Sequence, residues 1–100
     1  MTRGLSFRPL AVADLDDIWA YTAERWSAGQ AKGYLTGLNG SLMLLCQHPE
    51  IARLHDFTPP LRIFRFRSHL VVFQADESTL DVIRILHMRS NWQVLLSDHG

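Results

Sequence analysis

Cysteine is almost missing from this chain. Cys46 is the only one in 100 residues, which rules out an internal disulfide and points to a reducing compartment. Lysine is nearly as scarce, Lys32 standing alone against nine arginines. No apolar run approaches the roughly 18 residues that a membrane span needs. The opening MTRGLSFRPL also lacks the apolar region of a signal peptide, so a cytoplasmic protein with no membrane partner is expected. Net charge is missing too: ten basic residues balance ten acidic ones, and no global field draws the chain to nucleic acid. His48, His55, His69, His87 and His99 include no pair at helical spacing and no accompanying cysteine pair, so no metal is expected. A glycine-rich phosphate cradle and a GxSxG elbow are absent as well, and no cofactor is expected.

The composition that remains, 47% hydrophobic and 20% charged, is that of a single globular domain spanning residues 1–100. Its core must be modest, because a chain this short hides only roughly 60 to 65% of its unfolded surface. Charge is unevenly placed. Leu61 to Trp92 carries five arginines against three acidic residues, whereas the first sixty residues carry five basic and six acidic. An arginine fork suits carboxylate or phosphate partners.

Gly4 to Arg8 alternates weakly and stops at Pro9, as a short edge strand would. Leu15, Ile18, Trp19, Thr22 and Trp26 then recur on one helical face, with Asp14, Asp16 and Asp17 in the early turns. Ser27, Ala28 and Gly29 break that helix. A second stripe, Ala31, Tyr34, Leu35, Leu38, Leu42 and Leu45, runs to His48 and Pro49, with Cys46 beside it as a small core residue. Gly33, Gly37, Gly40 and Leu44 fall on the opposite side of this helix. That side reads either as an exposed face that tolerates glycine or as a groove approached by another backbone. HPEIARLHDFTPP reads as a polar connection. LRIFRF, HLVVFQ and LDVIRIL follow as strands separated by RS and ADEST. The expected fold is α+β: an N-terminal edge strand, a two-helix hairpin, then a three-stranded antiparallel meander with the helices on one face.

Alternation sends Phe64 and Phe66 toward the helices and Arg65 and Arg67 to the side the helices leave uncovered. In the last strand Arg84 and His87 cannot point the same way unless a bulge or the strand end intervenes. Its end, HMRSNW, crowds His87, Arg89 and Trp92 together. WQVLL could then form one amphipathic turn, capped by Asn91, that folds back on the sheet.

Taken in order, DLDDIWAYTAERW, a helix ending in HPE, LRIFRFRSHLVVFQ and VIRILHMRSNW resemble the RelE/ParE superfamily of type II toxin-antitoxin systems, and within it the ParE branch. The likeness covers nearly the whole chain. Two positions depart from it: Asn91 stands where the branch usually has an aspartate, and RS precedes His69 where a glycine is common.

The resemblance implies a toxin that inhibits DNA gyrase by protein contact and is neutralised by a ParD-like antitoxin, touching DNA only through these partners. It places target contact at His87, Arg89 and Trp92. Antitoxin contact falls at Arg62, Arg65 and Arg67, with Gly33, Gly37, Gly40 and Leu44 receiving a helix. The RelE alternative, a ribosome-dependent mRNA endonuclease, would use Arg65, His87 and Arg89. It fits less well, since Lys32, Tyr21 and Tyr34 all lie in the helical hairpin and no tyrosine follows the last strand. Not an enzyme is therefore the expected class, with no catalytic residues. A member that only binds its antitoxin is the third reading.

Overall fold

Strand β1 (Gly4–Phe7) runs directly into Pro9, whose fixed φ suits the first position of a helix and opens α1 (Pro9–Arg25). The computed structural model describes residues 3–97. Ser27 extends the backbone for one residue, and its side-chain oxygen accepts the Gln30 N–H at 3.0 Å, capping α2 (Ala28–Gln47). The helix break is therefore confined to Trp26–Ser27, and Gly29 is already helical. After a short 3₁₀ turn (Pro49–Ile51) come β2 (Arg53–His55), β3 (Leu61–Phe66), β4 (His69–Ala75), β5 (Thr79–His87) and a last helix, α3 (Trp92–Ser97). Asp76 shapes the β4–β5 turn by accepting the Ser78 and Thr79 N–H groups at 2.9 and 2.8 Å, which holds its carboxyl below the usual range.

The five strands form one sheet in the order β1-β5-β4-β3-β2, with β1 parallel to β5 and the other pairs antiparallel. The expected meander is β3–β4–β5 and the expected edge strand is β1. The segment read as a polar connection supplies an extra three-residue strand, β2, at the far edge. Its only alternation is one leucine between Arg53 and His55, too little to stand out from a loop.

Ala11, Ile18, Leu38, Leu42, Leu45, Cys46, Val71, Phe73 and Val82 build the core between the helical hairpin and the sheet. Burial pushes the Cys46 thiol up, which suits a packed residue rather than a nucleophile. Of the expected inward stripe of α1, Ile18 is buried, with Ala11 beside it in the core, whereas Trp19 and Trp26 are 41% and 69% exposed.

The opposite face of the sheet is not open, as the sequence suggested. Leu61, Ile63, Leu70, Val72, Ile83 and Leu86 form a second buried cluster there, and α3 folds back over it through Leu96 and Trp92. The anticipated amphipathic turn is thus the lid of a second core. Among the described residues no helix is long and apolar enough to cross a membrane.

Candidate functional site at the strand ends

A bulge decides which way the end of β5 faces. Val72 pairs with Arg84 and Phe73 with Val82, so Ile83 is an extra residue on β5. Alternation is reset across it: Val82 and Ile85 both face the helices while Ile83 and Leu86 face the other way. His87 therefore follows Ile85 to the helical side, and its cross-strand partner is His69.

Past Phe7, β1 no longer covers the edge of β5, and Asp14 of α1 takes its place. The Asp14 carboxylate accepts the Ile85 N–H at 2.9 Å and both arms of Arg84, Nε at 2.8 Å and Nη2 at 3.0 Å. An aspartate expected to serve the helix dipole is instead the lock that closes the sheet edge and anchors the strand carrying His87.

Tyr34 reaches this end from α2. Its hydroxyl lies 2.6 Å from His69 Nδ1, and the His69 and His87 rings meet edge to face at 5.2 Å. Burial raises the Tyr34 pKa, so the phenol keeps its proton, and its hydroxyl can donate to His69 Nδ1 or accept from it as the imidazole tautomer dictates. When the hydroxyl donates, neutral His69 carries its own proton on Nε2. The Arg89 N–H donates to His87 Nδ1 at 3.0 Å, which selects the same tautomer for neutral His87. Sequence reasoning missed both Tyr34 and His69. The tyrosine does lie in the helical hairpin, as expected, but the hairpin delivers it to the strand end. Together with Trp26, Tyr21, Asp17 and Asp14, these side chains line a cleft of about 450 Å³ between the helices and the sheet.

Burial, then the neighbouring His87, pushes the His69 pKa down, while Asp14 opposes the shift; burial, then Arg53, lowers that of His55. A histidine kept neutral by the fold binds its proton more readily when unfolded. Its contribution is therefore complete above the ordinary value near 6.5 and is lost as pH falls through that value toward the lowered one. Melting temperature should drop between about pH 7.5 and about pH 5.5, and His69→Gln should flatten part of that slope. An unchanged slope in the variant would remove His69 from the account.

The residues expected to contact partners do not gather as the sequence suggested. Trp92 is packed on the second core, with His55 edge to face at 6.0 Å, so the sheet stands between it and His87. Arg89 occupies the exposed turn after β5. Arg65 pairs with Leu70 on the far face, so Arg65, His87 and Arg89 form no cluster. Arg62 and Arg65 follow the expected alternation, but Arg67 departs from it. Its φ of 51° lies in the left-handed region, and the guanidinium lies over the Phe66 ring at 5.6 Å. Arg62 donates to the Ala52 carbonyl at 2.8 Å and Arg65 to the Arg67 carbonyl at 2.8 Å, so both are partly engaged within the chain.

Of the glycine face, Gly33 and Gly40 are open, with nothing within 4 Å of a Cβ placed on either. Gly37 is different: a Cβ there would lie 2.8 Å from Phe66 Cζ. That close approach is already made by the chain's own β3. Urea denaturation should show Gly33→Ala and Gly40→Ala each stabilising by up to about 1 kcal/mol, the usual helix-propensity gain. Gly37→Ala should gain less or lose, and an equal gain would mean that Phe66 moves aside freely.

The fold and the comparisons with known proteins converge. A solved structure, the chromosomal ParDE TA system from P. aeruginosa, superposes with a TM-score of 0.76 over 88% of this chain and 98% of that one, at 17% identity, a likeness of fold. Residues 5–92 match the family described as the ParE toxin of type II toxin-antitoxin system, parDE, which gives the class: a type II toxin of the RelE/ParE superfamily. Toxin ParE1 of Mycobacterium tuberculosis (strain ATCC 25618 / H37Rv) is 36% identical over 83 residues, covering 81% of this chain and 85% of the relative. Toxin ParE1 of Caulobacter vibrioides is 32% identical over 82 residues, covering 81% and 84%. The chain belongs to the ParE toxin family.

Proposed function

We propose that this toxin acts by protein contact on DNA gyrase, without turnover of a substrate, and is held inactive by a ParD-like antitoxin. The observation that carries this reading is the ParE match over residues 5–92, which takes in both strand ends and the turn that holds Arg89. His87 and Arg89 are the target contacts. Trp92 serves them from behind by seating α3. The antitoxin's flexible acidic segment lies against Arg62, Arg65 and Arg67, and its helix uses Gly33, Gly40 and Leu44, the last 44% exposed. Ordering such a segment on the toxin spreads contact over a large area at an entropic cost.

A purified sample should block gyrase supercoiling and trap cleaved DNA. Gly40→Leu should keep that activity, since the site is open, while losing at least about a hundredfold in antitoxin affinity, roughly 2.7 kcal/mol. Gyrase left fully active, or Gly40→Leu neutralised as well as the parent, would overturn the respective half.

The Tyr34–His69–His87 contact favours a second reading, RelE-type cleavage of mRNA on the ribosome, because it supplies groups that move protons. Against it, among the described residues no lysine or arginine lines the cleft where a charged phosphorane would need cations. Cut transcripts in ribosome complexes, with gyrase untouched, would reverse the ranking.

A further inference from the structure

The cleft at the strand ends has chemistry that target contact through His87 and Arg89 leaves unused. Tyr21 and Trp26 stand at its mouth 59% and 69% exposed, and the Trp26 indole is a large ring left in water. Asp17, four residues before Tyr21 on α1 and so on the same face, lines the cleft and makes no ion pair among the described residues. Asp14 at the back is already held by Arg84 and the Ile85 N–H. Phosphate is a poor occupant, since these two carboxylates would repel it and, among the described residues, no lysine or arginine lines the cleft. A metal ion has no group of three candidate ligands among the described residues. A purely apolar side chain would leave the polar atoms of Tyr34, His69 and His87 without water.

We infer that the cleft accepts an arginine side chain of the protein on which the toxin docks, its guanidinium paired with Asp17 and stacked on Trp26. A flat guanidinium suits aromatic faces and a carboxylate at once, which an ammonium does not. The chain offers its own precedent: the Arg25 guanidinium lies over the Tyr21 ring at 5.5 Å. The imidazole of His69 is half-buried, and that burial disfavours a competing positive charge there. Only the source of the arginine rests on the contact reading; the pocket's selectivity does not.

The test titrates the full chain with Nα-acetyl-arginine N-methylamide and follows the Trp26 indole N–H and the His69 and His87 ring protons by NMR. Saturable shifts are expected, with the lysine analogue weaker and the glutamate analogue and inorganic phosphate silent. Asp17→Asn and Trp26→Ala, both at exposed positions, should keep the parent amide spectrum and each weaken arginine binding roughly three- to tenfold. The inference fails if the arginine probe gives no saturable shift, if phosphate or the glutamate analogue binds as well, or if neither variant weakens it. None of these outcomes depends on gyrase. A gyrase-inactive protein that still binds the arginine probe would separate this inference from the proposed target.

Discussion

Asp14→Ala should destabilise the protein by about 3 kcal/mol, near the lower end of what removing one partner of a buried ion pair costs. The carboxylate is 12% exposed and Arg84 22%, so neither is replaced cheaply by water. The substitution leaves a mostly buried guanidinium without its counter-charge and the Ile85 N–H, at an edge that β1 no longer covers, without an acceptor. In a domain of this size that should lower the melting temperature by roughly 12 to 24 °C. Asp14→Asn keeps one oxygen for the amide and should lose less. Asp14→Ala combined with Arg84→Met should recover part of the loss, because the stranded charge is gone. A single Asp14→Ala variant within about 1 kcal/mol of the parent would show that the lock is dispensable.

Leu96→Asp should undock α3. Leu96 is 2% exposed over the second core, and a charge there cannot stay buried unpaired. A six-residue helix near the end of the described chain can lift away without unfolding the sheet, so the loss is capped at the docking energy, roughly 3 kcal/mol for a buried leucine. The face beneath, with Leu61, Ile63, Leu70, Val72, Ile83 and Leu86, would then meet water. Dye binding and self-association, read by ANS fluorescence and sedimentation, should rise together. Leu96→Ala should cost about 2 to 3 kcal/mol with less exposure. A monomeric Leu96→Asp variant that binds no dye would mean the far face needs no cover.

Much of the scaffold was readable because its periods are clean. The 3.6-residue spacing from Ala31 to Leu45 and the alternation of Arg62, Phe64 and Phe66 needed no tertiary information. Three features were hidden for physical reasons. β2 is too short to carry a period. The far face was read as open because Arg65 points there, although Ile63, on the same alternation, is 8% exposed beneath α3. The bulge at Ile83 resets the last strand, and only the pairing across from Val72 and Phe73 fixes where it lies.

The candidate site was harder. His87 was legible at a strand end, but His69 and Tyr34 come to it from 18 and 53 positions away, as their numbers show, and only the sheet register and the helix packing join them. The glycine face was half legible: the wheel groups Gly33, Gly37 and Gly40, but only the folded chain shows that Phe66 has taken the middle one.

The pairing of Gly4 with Thr79 makes the first strand depend on the last. While a ribosome is still extending the chain, β1 has no neighbour to bond to, and the strand that bears His87 does not yet exist. A chain that has not yet reached Thr79 therefore lacks both the edge on which β1 lies and the strand that carries His87. Nascent chains arrested before Thr79 should show fast amide exchange at Gly4–Phe7; slow exchange there would mean that the strand finds another partner first.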